Sequence, residues 1–160
     1  MMRIPLKFVN GRILVLATLS APNYRVSLKP VWFVVDTGSA KSFLSEGEAL
    51  RLQIPMESLS LLEPIRMGGA TYQLYRTKQV KLFFKNDQNG VYTINLENFA
   101  LSRTGSKKEA SKRESENFPS ILGTDFLIKN NLALYFDPVN NEAYLIVKTE
   151  NSLKDAKSNI

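Results

Sequence analysis

The sequence predicts a mainly β domain with one or two short helices, and two observations carry that expectation. Apolar residues come in short runs rich in Val, Ile, Leu, Phe and Tyr, as at 12–20, 31–35 and 78–85. Such runs have the composition of strands, not of long amphipathic helices. Between them stand turn formers: Asn10-Gly11, Gly68-Gly69, Asn86 through Gly90 and Asp137 through Asn141. Two-residue turns of the Asn-Gly and Gly-Gly kind join antiparallel strands.

Taken in order, 5–9 and 12–20 read as a hairpin about Asn10-Gly11, and Pro22-Asn23 and Lys29-Pro30 bracket a loop or short edge segment. Val31 to Val35 then form a buried strand that stops at Asp36. Lys41, Ser42, Phe43 and Leu44 suggest a short strand. Ser45-x-x-Glu48 is a capping box, so a helix carrying Ala49, Leu50 and Leu52 begins there and ends before Pro55. The 62–75 stretch is a hairpin with Gly68-Gly69 at its tip. A second hairpin joins 78–85 to 91–101. Thr124 is placed to N-cap a second helix through Lys129, and 132–136 pairs with 142–147 about a turn at Asp137-Pro138.

Composition narrows the chemistry. The chain of 160 residues, 44% of them apolar, suits one domain over 1–148 with a polar tail at 149–160. It contains no Cys and no His, which removes Ser-His and Cys-His nucleophilic sites and the usual zinc sites together. Acid-base work is left to carboxylates, Lys or Tyr. No metal or other cofactor is expected. Lacking Cys, the chain is expected in a reducing compartment, the cytoplasm.

The formal charge is +6, from 21 Lys and Arg against 15 Asp and Glu. The basic cluster Lys107, Lys108, Lys112 and Arg113 is interleaved with Glu109, Glu114 and Glu116, and it lacks the aromatic residues of a base-stacking platform. Nucleic acid is therefore not expected as a partner. The surrounding segment, 103–117, has no large apolar side chain and is expected to be a mobile polar loop inserted in the domain. Near the N-terminus, Arg3, Lys7 and Arg12 precede the apolar stretch 13–21 and imitate a secretory signal. Against that stand the hairpin signal at Asn10-Gly11, the shortness of the run and Pro22 directly after it. No stretch reaches the roughly 20 apolar residues of a membrane span, so no membrane partner is expected.

An acid at the end of a buried strand is costly to desolvate, and persists where hydrogen bonds or function require it. Asp36 is so placed, in Val34-Val35-Asp36-Thr37-Gly38-Ser39. Further on come Met67-Gly68-Gly69-Ala70 and then Ile121-Leu122-Gly123. In that order the three segments resemble the retropepsin-like aspartic proteases. The pattern there is two hydrophobic residues before Asp-Thr-Gly-[Ala/Ser], a glycine-rich flap, then two hydrophobic residues and glycine.

The resemblance implies a closed, barrel-like β fold and a homodimer that cleaves polypeptide substrates. Two carboxylates about 3 Å apart share one proton and can both activate water and protonate a carbonyl. This chain has one Asp-Thr-Gly, so the second carboxylate would be Asp36 of another copy. Asp36 would be catalytic, with Thr37, Gly38 and Ser39 supporting its loop. Thr37 would bond across the dimer, Gly38 would let backbone approach the peptide, and Ser39 would donate a hydrogen bond to Asp36 or merely stabilise the turn. Met67, Gly68, Gly69 and Ala70 would form the flap, and Ile121, Leu122 and Gly123 the core motif beside the active site. The ion pair that retroviral members carry is missing, since Ala40 and Thr124 occupy its places. Lys41 and Asp125 are candidates to replace it. The final hairpin would bring Leu134, Phe136, Tyr144 and Ile146 to the dimer interface. A noncatalytic peptide-binding or dimerisation domain of the same fold is the alternative, and an idle desolvated acid argues against it.

Overall fold

A computed structural model describes residues 1–148, so the polar tail at 149–160 lies outside the described residues. Strand Met2–Pro5 (β1) leads to Lys7–Val9 (β2), and Asn10 and Gly11 turn the chain into Arg12–Ala21 (β3). Both turn residues have positive φ, 50° and 74°, as a primed hairpin turn demands. The loop expected before the acid is shorter than the sequence suggests. Only Pro22–Tyr24 form a 3-10 turn, and Val26–Val35 (β4) is a strand throughout, pairing along β3. Pro30 is tolerated inside it because the strand on β4's other side touches only Phe33 to Val35. A strand edge without a partner has no need of the missing N–H.

Phe43–Leu44 (β5) and helix Glu46–Arg51 (α1) follow, with the Ser45 hydroxyl accepting the Glu48 N–H at 3.3 Å as the capping box predicts. Next come Ser60–Leu61 (β6), Ile65–Met67 (β7), Ala70–Arg76 (β8), Val80–Lys85 (β9) and Val91–Leu96 (β10). The strand expected over 91–101 is two strands. β10 stays paired with β9 as far as Leu96, whereas Ala100–Thr104 (β11) leaves to lie between β5 and β8. One straight strand cannot satisfy both neighbours. The chain continues with Glu109–Asn117 (α2), Ser120–Leu122 (β12), Thr124–Lys129 (α3), Leu132–Asp137 (β13) and Glu142–Val147 (β14).

Strands hydrogen-bond in the order β10-β9-β3-β4-β12-β5-β11-β8-β6, with β2 added on β3 and β7 on β8, while β1-β14-β13 form a separate sheet. The expected closed barrel is not found. Closure requires every strand to have two neighbours, and β10 and β6 each have one on this path. A large core fills the space between the sheets and helices, with Phe33, Leu19, Leu82, Phe84, Leu101 and Leu145 fully buried. A smaller cluster of Phe43, Leu74, Ala100 and Ile121 supports Ile65, Met67 and Phe118. That cluster forms the floor beneath the β7–β8 hairpin.

Segment 103–117 is not the loop its polarity suggests, and it adds a third helix to the one or two expected. Arg103 and Thr104 end β11, and Glu109 to Asn117 are α2. Its Ala, Lys, Arg and Glu residues are good helix formers, but an isolated helix this short is marginal in water. Docking makes up the difference. The Ser115 hydroxyl donates to the buried Glu46 carboxylate on α1, which also accepts from Arg103 Nε at 3.2 Å and the Thr104 N–H at 3.4 Å. Gly47 lies so close to the Glu116 carbonyl that any side chain there would collide with it. Glu46→Ala is therefore expected to cost about 1–3 kcal/mol, since it takes the acceptor from the buried Ser115 hydroxyl and from the part-buried Arg103 guanidinium. Chemical denaturation reads this directly; unchanged stability would mean that α2 is not held by Glu46.

Candidate active site

The segment bearing Asp36 is shaped by an unusual pairing. β4 and β5 are joined by the loop 36–42, yet they are not neighbours, because β12 is inserted between them. β12 runs parallel to β4, with Phe33, Val34 and Val35 opposite Ser120, Ile121 and Leu122, and antiparallel to β5 at Phe43 and Ile121. The apolar run 31–35 and the Ile121-Leu122 pair thus lie side by side. Between them they fix the exit angle of the loop, since the Asp36 N–H donates to the Leu122 carbonyl at 3.0 Å.

Inside the loop, the Gly38 N–H donates to Asp36 Oδ1 at 2.8 Å. A Cβ at Gly38 would stand 3.1 Å from the same oxygen, so any larger residue there would push the Asp36 carboxylate aside by a few tenths of an ångström. Asp36 is half-buried, and among the described residues no hydrogen bond reaches its Oδ2. Ser39 does not do what the resemblance implies. Its hydroxyl donates to the Lys41 carbonyl at 2.7 Å, so its single proton is used within the turn and not on Asp36. Thr37 is exposed in the single chain.

Gly123 locks the loop from below. The Thr124 N–H and hydroxyl both donate to the Ser39 carbonyl, at 2.9 and 3.3 Å, and the Gly123 N–H donates to the Ser42 hydroxyl at 2.7 Å. With its hydroxyl so engaged, Thr124 is not the N-cap. That position falls to Gly123, with no side-chain cap. Asp125 completes the brace, accepting from the Ser42 hydroxyl at 2.5 Å and the Ser42 N–H at 3.1 Å. It forms no ion pair with Lys41 among the described residues, so the suggested replacement pair does not form within the chain. The Ser42–Asp125 contact spans 83 positions, and no local pattern announces it.

The hairpin 65–76 folds over the loop. Gly68 and Gly69 take φ of 55° and 80°, Met67 pairs with Ala70, and nothing lies within contact of a Cβ at either glycine. Asp36, Gly38, Ser39, Met67, Gly68 and Ile121 line one cleft of about 540 Å³. Ile65, Arg66 and Phe118 share it, none of them singled out by motif, and so does Lys41, the candidate for the missing ion pair. The other motif residues do not line it. Leu122 is wholly buried, Gly123 lies under the loop, and Ala70 faces a separate hollow near Thr104.

Neither of two other acids offers a substitute for Asp36. Asp125 is committed to Ser42, and Asp137 closes the β13–β14 turn by accepting from the Asn140 amide at 2.7 Å and from the Asn140 and Val139 N–H groups. Those bonds, the Asn140 side chain's first, hold the Asp137 carboxyl below its ordinary value. Among the described residues no group of three or more His, Cys, Asp or Glu side chains is placed to hold a metal ion.

No protein-family model matches the chain, and no curated protein matches it in sequence. In three dimensions it is similar to the crystal structure of a retropepsin-like aspartic protease from Rickettsia conorii. The TM-score is 0.53 over 91% of this chain and 98% of that one, at 14% identity. The chain thus has a mainly β, retropepsin-like fold. At that identity the likeness concerns the fold, and the chemistry rests on the residues at the site.

Proposed function

We propose that the protein is an aspartic endopeptidase, active as a homodimer in which Asp36 of each copy forms half of a catalytic dyad. The observation that carries this reading is Asp36 itself: an acid on a braced loop, beneath a hairpin with a side-chain-free tip, and among the described residues the only acid lining the cleft. In the dyad the ionised carboxylate takes a proton from water, whose oxygen attacks the peptide carbonyl carbon. The protonated partner gives its proton to the carbonyl oxygen. Collapse of the tetrahedral intermediate then breaks the C–N bond, with a proton delivered to the leaving nitrogen.

Thr37, exposed in one chain, is available to bond across the twofold axis, and Gly38 leaves room for substrate backbone. The 65–76 hairpin serves as the flap. For the interface, β13 offers an edge with a single strand neighbour, whereas β14 lies between β1 and β13. The aromatic residues of that sheet also have partners within the chain. Phe136 packs edge-on against Phe8 at 4.9 Å, and Tyr144 stacks on Tyr135 at 4.6 Å. We therefore place the contact at the β13 edge and not on the whole hairpin.

The test is concentration. Activity on a peptide library should fall faster than linearly on dilution, and excess Asp36→Asn chains should suppress wild-type activity by forming half-sites. Linear dilution with a monomeric mass in the active fraction would defeat the shared dyad.

A further inference from the structure

We infer that the groove at Asp36 selects peptides carrying glutamate or aspartate beside the bond held at the acid; this rests on the peptide-groove reading above. Two clefts meet at Asp36. Lys41 and Arg66 line one, Arg12 lines the other, and among the described residues Asp36 is the only acid in either. Among the described residues none of these three cations forms an ion pair, whereas Arg51, Arg103 and Lys112 do.

The three cations come from separate elements. Arg66 lies in β7 of the hairpin, opposite Thr71; Lys41 lies in the Asp36 loop; Arg12 opens β3. A peptide in extended form advances about 3.3 Å per residue, so side chains within a few residues of the cleaved bond fall among these positions. The field of unpaired cations in a cleft between low-dielectric walls is focused there and raises the local concentration of anionic ligands. Nucleic acid is the less favoured anion, because among the described residues Phe118 is the one aromatic lining either cleft and a stacking platform needs several.

The experiment uses the full chain and two readouts. Fluorescence anisotropy of labelled peptides on the Asp36→Asn protein reads charge preference without chemistry, and kcat/KM on the wild type reads it with chemistry. Peptides matched except for Glu against Gln flanking the central bond should differ about tenfold in favour of Glu at low salt. The difference should shrink toward unity near 1 M salt, where the screening length is about 3 Å. Lys41→Glu combined with Arg66→Glu should reverse the preference toward lysine-bearing peptides. Equal binding of Glu and Gln peptides, a preference untouched by the double change, or tighter binding of a single-stranded oligonucleotide would each overturn the inference. Cleavage that depends on Asp36 but ignores charge would overturn it alone. Acid-selective binding with no cleavage of any peptide would instead remove the protease reading and leave the selectivity standing.

Discussion

Asp36→Asn is expected to reduce peptide cleavage by on the order of 10³-fold or more, while the protein remains folded. The loss follows from the chemistry: an amide can neither take the proton of the attacking water nor return one, and positioned acid-base groups contribute up to about 10⁴-fold. The retained fold follows from the geometry. Asn Oδ1 can accept the Gly38 N–H as Asp36 Oδ1 does, and the loop's other anchors, Asp36 N–H to Leu122 and Thr124 to Ser39, do not involve the carboxylate. The comparison is made on purified protein, with kcat/KM beside the melting temperature. Full activity in a folded variant would end the catalytic assignment, and unfolding would show that the carboxylate is structural.

Gly123→Ala is expected to damage the site and the stability of the fold together. The added Cβ would run into the Ser39 carbonyl oxygen and stand 2.8 Å from that of Lys41. Both are backbone atoms already in use, the first accepting from Thr124 and the second from Ser39. No side-chain rotation relieves the collision, so the loop must shift and carry Asp36 with it. Overpacking of this kind costs about 1–3 kcal/mol, and in a chain of this size each kcal/mol lowers Tm by about 2–4 °C. A displacement near 1 Å at the reacting group removes about 10²-fold in rate. Gly105→Ala is the control, because its Cβ would meet only the Gln73 side chain at 3.8 Å, an ordinary contact, and it lies outside the cleft at Asp36. A Gly123→Ala protein with wild-type Tm and kinetics would refute the brace.

Local chemistry was enough for the sequence to determine much of this protein. Asn10-Gly11 and Gly68-Gly69 dictate their turns because few other residues accept positive φ in succession. Ser45 and Glu48 start α1 three residues apart, and the apolar run 31–35 announces a buried strand ending at an acid. Those signals lie within a few residues of what they control. The ordered motifs name Asp36, Met67, Gly68 and Ile121, and these four line one cleft.

Only the tertiary structure decided the rest, because the deciding partners are far apart in the chain. Polar residues 109–117 become a helix by docking on Glu46 and Gly47, more than fifty positions away, which composition alone reads as disorder. Ser39 spends its proton on Lys41 and not on Asp36, a choice set by how the loop turns. The split of 91–101 arises from which strands wait beside β10 and β11. The brace under the site joins Ser42 to Asp125 across 83 positions, and the cations Arg12, Lys41 and Arg66 reach the two clefts that Asp36 lines from three elements. A residue's local propensity is written in its neighbours in sequence, but the contacts that share a proton, bury an acid or surround one with charge are made by neighbours in space.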